Sequence, residues 1–196
     1  MTSHRYFILN KPMKMVSQFV SSHAVNLLTN LEFKFPPETH AIGRLDQNSE
    51  GLLLLTTNKK ITKLLFQGAV PHKRTYLVQV KNTVSAETIL KLANGIAISA
   101  PNGTQFITTP CIVKLVNKPP HLFEVGTALH ENVKTSWLQI TLTEGKFHQV
   151  RKMVAAVNHR CLRLIRISIE GILIGNMQPG EVVELDEHEF FSLLKL

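Results

Sequence analysis

The stretch "HAIGRLDQNSEGLLLLTTN", residues 40–58, sets Arg44, Asp46 and Glu50 directly before four consecutive leucines. The leucine run reads as a buried strand opening at Gly51, although over so few residues its pattern fits a helix equally well. Ahead of it, "HAIGRLD" reads as a short strand and a bend. Asp46 therefore stands where a strand gives way to a loop, a common place for reactive groups on a rigid sheet. Taken singly, the three charges have ordinary readings: a turn aspartate, a glutamate paired with a lysine and a solvated arginine.

Working outward, "RYFILN" is apolar and aromatic, and Asn10-Lys11-Pro12 closes it as a strand followed by a turn. Pro36-Pro37 marks a loop, and Asn58 is a candidate N-cap for a helix through "KKITKLLF". "RTYLVQVK" alternates and is rich in β-formers, so it predicts a strand. Ser85 caps a helix "AETILKLAN" that Gly95 ends. "CIVKLVN", "HLFEVG" and "TSWLQITLTE" read as successive strands. In "GKFHQVRKMVAAVN", Phe147, Val150, Val154 and Val157 recur at helical spacing, which predicts a packed face opposite Lys146, Arg151 and Lys152. "CLRLIRISI" alternates again, "MQPGEVVELD" suggests a turn and a late strand, and "HEFFSLLKL" a terminal helix. Strands and helices do not alternate regularly. The expected class is α+β, with a mixed, mainly antiparallel sheet, flanking helices and a central cleft. One domain over residues 1–196, with at most two subdomains around that cleft, is expected.

Composition narrows the function. At 44% hydrophobic residues the chain can bury a core, and no apolar run approaches a membrane span. The N-terminus has no signal-peptide pattern. Cys111 and Cys161 lie far apart, outside any metal-type spacing, and read as buried free thiols in a reducing cytoplasm. The formal charge is +8, with Lys146, Arg151, Lys152, Arg160, Arg163 and Arg166 crowded into one late segment and Lys73-Arg74 standing together earlier. Such a balance points to a polyanion, and the lack of a basic amphipathic helix with a large aromatic face favours nucleic acid over membrane.

The combination of charges in the opening stretch is more specific than its members. "GRLDQNSEGLLLLT" resembles the signature G-R-L-D-x-x-S/T-x-G-L-L-L-L-T of the pseudouridine synthases, in particular the branch that modifies ribosomal RNA. Gly43, Arg44, Leu45, Asp46, Ser49, Gly51, Leu52 to Leu55 and Thr56 all match. "LNKP" at 9–12, "KRTYLV" at 73–78, "EGKFHQVRKM" at 144–153 and the late strand "LRLIRISIEG" are similar to further family motifs in the same order. Two departures stand out. Relatives often carry glycine two residues after the proline, where this chain has Lys14, and Glu170 follows the late strand where many relatives read R-I-G-P.

The resemblance implies isomerisation of uridine in RNA to pseudouridine. The N1–C1′ bond breaks, the uracil turns, and a C5–C1′ bond forms without an external cofactor. It implies Asp46 as the catalytic carboxylate, Tyr76 stacking on the uracil and moving a proton late, and Arg151 paired with the aspartate. Leu164 is the implied buttress of the tyrosine, and Arg44 the contact to RNA near the extruded nucleotide. Lys11, Lys73 and Lys152 are expected to bind substrate, and no metal is expected. The substrate is expected to be ribosomal RNA of the large subunit, and the protein a cytoplasmic monomer. Many members carry an N-terminal S4-type RNA-binding domain, for which no room precedes the first strand here, so the catalytic body is expected to bind RNA by itself.

Elementary chemistry agrees with these roles. A carboxylate in a pocket dry enough for uracil tends towards its neutral form by up to roughly 3–5 pKa units, and a nearby guanidinium opposes that by about 1–3. Flipping the uridine costs a few kcal/mol, and stacking on an aromatic ring returns on the order of 1–3 kcal/mol. Two rivals remain. A non-catalytic RNA-binding module on the same fold needs no Asp46. A glycoside hydrolase using Asp46 and Glu50 needs carboxyls about 5–5.5 Å or 6.5–9.5 Å apart across a sugar.

Overall fold

The computed structural model describes residues 4–67, 70–100, 103–120, 122–123 and 133–196. The chain forms two compact units, Met1–His72 with Arg166–Leu196, and Lys73–Ile165. The first unit is therefore discontinuous in sequence. Of the expected strand "HLFEVG", all but Leu122 and Phe123 lies outside the described residues.

In the first unit, β1 (Tyr6–Lys11), β2 (His40–Ile42) and β3 (Glu50–Thr56) are followed by α1 (Ile61–Gln67). All seven residues of β3 are buried. That burial on both faces is why its leucines run without alternation. β1 pairs antiparallel with β3 along its whole length, and β2 pairs antiparallel with Leu54–Thr56. Both partners use those same β3 residues, so they lie on its opposite edges. Asn58 caps a turn ahead of α1, its side-chain oxygen accepting from the Lys60 amide at 3.1 Å.

The second unit holds β4 (Arg74–Lys81), α2 (Ala86–Ala93), β5 (Ala97–Ser99), β6 (Gln105–Ile107), β7 (Ile112–Val116), β8 (Thr135–Leu142) and α3 (Gln149–Ala156). β8 is central, with β4 antiparallel on one edge and β7 antiparallel on the other. The Ser85 hydroxyl accepts from the Thr88 amide at 3.1 Å, as its cap position requires. Gly95 then ends the helix at φ 95°, and a Cβ there would lie 2.4 Å from the Thr108 carbonyl oxygen. The hairpin β5–β6 was not anticipated, because three-residue strands carry too little alternation to read.

β9 (Cys161–Ile169) begins in the second unit and ends in the first. β10 (Ile172–Leu173), β11 (Val182–Leu185) and α4 (Glu187–Leu194) complete the first unit. β11 pairs antiparallel with β1, Tyr6 opposite Leu185. Asp186 caps α4 by accepting from the Glu189 amide at 2.8 Å, and Phe190 and Phe191 pack their rings against Tyr6. Every strand pair with a described register is antiparallel, in keeping with the α+β class.

The helix around "QVRKM" starts later than its periodicity predicts. His148 adopts φ 55°, in the left-handed region, and the helix begins only at Gln149. Phe147 is consequently 59% exposed, its ring stacked on His148 at 3.9 Å, while Val150 and Val154 are buried as expected. The left-handed residue breaks the 3.6-residue repeat, so Phe147 leaves the packed face.

Candidate active site

Asp46 stands on the turn between β2 and β3, half-buried, with its carbonyl accepting from the Ser49 amide at 3.0 Å. Gly43 enters this turn at φ 72°, a conformation that glycine adopts without steric cost. Leu45 is buried and anchors the turn, whereas Arg44 is exposed.

Beneath the turn lie charges that normally face water. Lys11 and Glu50 are both wholly buried, and Arg166 is 3% exposed. The Lys11 ammonium donates to the carbonyls of Pro12 at 2.8 Å and Met15 at 2.6 Å, and the Arg166 guanidinium donates to the Leu52 carbonyl at 2.8 Å. Lys11 therefore does not bind substrate directly, contrary to expectation. Its side chain is spent inside the first unit, where it braces the chain after β1. Glu50 also loses its rival role, because a wholly buried carboxylate cannot flank a sugar opposite Asp46.

Burial pushes the Lys11 ammonium down to about 8, the Glu50 and Asp46 carboxylates pull it upward, and the Arg166 guanidinium pushes it down again. The stability consequence has a definite sign. Between pH 8 and 10.5 the unfolded chain holds a proton that folded Lys11 has released, so stability rises with pH in that window. The wild type should gain about 2 kcal/mol over Lys11→Met between pH 7 and 10. Urea unfolding of both proteins measures this, and a constant difference would contradict it.

Both departures from the family pattern adopt left-handed backbone. Lys14 has φ 64° and donates its amide to the Gln47 carbonyl at 2.8 Å. Glu170 has φ 46°, and its buried carboxylate pairs with Lys195 at 2.8 Å and lies 3.8 Å from the His72 ring nitrogen. These side chains occupy conformations that glycine enters freely.

The second unit holds the other implied residues. Tyr76 lies on β4 opposite Ile140 of β8, half-buried. It packs against a core cluster that includes Leu164, itself 5% exposed. Arg151 lies on the first turn of α3, half-buried, and its guanidinium donates to the Cys161 sulfur at 3.6 Å. The loop before α3 closes on itself. The Gln149 side chain donates to Glu144 at 2.7 Å and accepts from the Lys146 amide at 2.9 Å, and Glu144 also accepts from the Thr109 amide at 2.9 Å. Gln149 and Glu144 belong to the quoted motif, but their work is to set the start of α3 and hence the position of Arg151.

Lys73 is exposed. Lys152 donates to the Ser99 carbonyl at 2.6 Å and sits 5.2 Å from the Phe147 ring centroid, on the hairpin side of α3. Cys111 and Cys161 are half-buried free thiols, and burial raises Cys111 to about 11, so neither suits a nucleophile. Among the described residues no helix is long and apolar enough to cross a membrane.

Asp46 thus belongs to the first unit, on the turn between two strands of its antiparallel sheet and beside a buried charge cluster. Tyr76, Arg151 and Leu164 belong to an α+β unit that fixes a tyrosine and an arginine. The RNA pseudouridylate synthase family matches residues 5–156. A protein of Xanthomonas campestris pv. campestris, named ribosomal large subunit pseudouridine synthase E, is 34% identical over 176 residues, covering 89% of this chain and 91% of that one. A Vibrio parahaemolyticus protein of the same name is 32% identical, covering 93% and 74%. A solved structure described as a pseudouridylate synthase has the same fold, with a TM-score of 0.79 at 24% identity over 98% of this chain and 75% of that one. The chain belongs to the RNA pseudouridylate synthase family.

Proposed function

We propose that this protein isomerises one uridine of large-subunit ribosomal RNA to pseudouridine, with Asp46 as the catalytic carboxylate. The observation that carries this reading is the Gly43–Thr56 motif, whose aspartate stands on the β2–β3 turn inside the region matching the family. The choice of large-subunit RNA leans on the relatives named synthase E.

The reaction rearranges one nucleoside and balances without a co-reactant. The N1–C1′ bond breaks, C5 bonds to C1′, C5 gives up its proton and N1 gains one. Asp46 attacks or deprotonates the sugar as the reacting carboxylate, and the resemblance assigns Arg151, a cation at every working pH, to support it. Tyr76 stacks on the flipped uracil with Leu164 behind it, and its hydroxyl is the candidate for the late proton transfer. Arg44, Lys73 and Lys152 contact the RNA. The protein works as a cytoplasmic monomer in which residues 1–196 act as one catalytic domain.

The test is to incubate the purified chain with a large-subunit ribosomal RNA transcript, and separately with partly assembled subunits, and to map pseudouridine chemically. Conversion of one uridine in either substrate is the expected result. Absence of conversion in both would leave only the binding-module reading, and release of free uracil would indicate hydrolysis.

A further inference from the structure

Ser17 makes two hydrogen bonds with one residue far along the chain. Its hydroxyl donates to the Leu45 carbonyl at 2.9 Å and accepts from the Leu45 amide at 3.0 Å. Both residues are buried, Ser17 at 7% exposure and Leu45 at 6%. Leu45 immediately precedes Asp46. On the other side of Asp46, the Gln47 carbonyl accepts from the Lys14 amide at 2.8 Å. The residues flanking the carboxylate are therefore both tied to one short segment, 14–17. That segment is itself braced, by the Lys11 ammonium on the Met15 carbonyl at 2.6 Å and by the Val16 amide on the Asn26 carbonyl at 2.9 Å.

We propose that Ser17 is a positioning residue for the Asp46 carboxylate. Through Leu45 it holds the backbone that aims that group, an inference that rests on Asp46 being the reacting acid. An aspartate side chain has two torsions, so the orientation of its backbone largely decides where its oxygens lie. A turn between strands drifts unless its own polar groups are tied down. Ser17 ties down both polar groups of the residue before Asp46 with one hydroxyl. No water need enter, and no long side chain need be ordered. Reacting atoms must approach within about 3–3.5 Å, and a displacement near 1 Å can cost about 10²-fold in rate. Removing the hydroxyl leaves the buried amide and carbonyl of Leu45 without their partner, which favours rotation of that peptide.

The experiment measures the single-turnover rate of pseudouridine formation at saturating enzyme, together with the RNA dissociation constant, for Ser17→Ala, Ser17→Thr and Asp46→Asn. The alanine variant is expected to lose about 10- to 100-fold in rate with affinity changed less than about threefold. The threonine variant, which keeps the hydroxyl, should retain most of the rate. Should the alanine variant be unfolded at the assay temperature, Ser17→Cys takes its place, since a thiol fills the site but bonds weakly. A wild-type rate in the folded alanine or cysteine variant overturns the proposal, and so does a loss of rate matched by an equal loss of affinity. Full turnover by Asp46→Asn would overturn the Asp46 reading and this inference with it.

Discussion

Replacement of Asp46 by asparagine is expected to lower the rate of pseudouridine formation by at least about 10³-fold while leaving RNA affinity close to that of the wild type. Asparagine has the same size and shape but carries no negative charge, so it can neither attack the sugar nor take up its proton. The fold should tolerate the change. The described bond that closes the turn uses the Asp46 backbone carbonyl and the Ser49 amide, which the substitution keeps. Leu45, the buried anchor of the turn, is also unchanged. Binding should hold because Arg44, Lys73 and the other lysines of the second unit remain. The measurement is a timed conversion of a ribosomal RNA transcript beside a filter-binding or fluorescence titration. Unimpaired turnover would remove Asp46 from the chemistry. Loss of binding in step with turnover would mean that the residue serves recognition instead.

Affinity for RNA is expected to fall on the order of 10³-fold between 50 and 200 mM salt, if about six phosphates are contacted. The physical basis is counterion release: each phosphate met by a lysine or arginine frees condensed cations, and added salt opposes that release. The chain has the means, with a formal charge of +8 and exposed Arg44, Lys73 and Lys146. Lys11 is excluded from the tally, because its ammonium is buried on backbone carbonyls. Asp46→Asn should show the same slope as the wild type, since it removes no cation. Titrations at four or five salt concentrations suffice, and a response that stays flat would contradict an electrostatic mode of binding.

The pattern of residues made several elements readable because their causes are local. β4 coincides with "RTYLVQVK", where alternating β-formers put Tyr76, Val78 and Val80 on one face against the core cluster, although Leu77 on the other face is buried too. The Ser85 cap and the Gly95 stop are likewise local, one a side-chain acceptor and the other a left-handed backbone. Where a local rule is broken by one residue, the reading fails, as at His148, which takes Phe147 off the helical face. Lys11 was misread for a different reason. Nothing near it in sequence says that its ammonium will be enclosed, and exposed surface is the usual place for a lysine.

Sequence alone determined the family of this protein. Ordered motifs place it there and offer an aspartate, a tyrosine and an arginine as candidate reacting groups, and the charge points to a polyanion, because motifs and net charge are written residue by residue. Only the tertiary structure decided how those groups are held. β11 returns to β1 across most of the chain, Ser17 meets Leu45, and Lys11, Glu50 and Arg166 are enclosed in one unit. Such contacts join residues far apart in the chain, and they arise from burial and hydrogen-bond satisfaction summed over a whole folded unit, which no short window of sequence records.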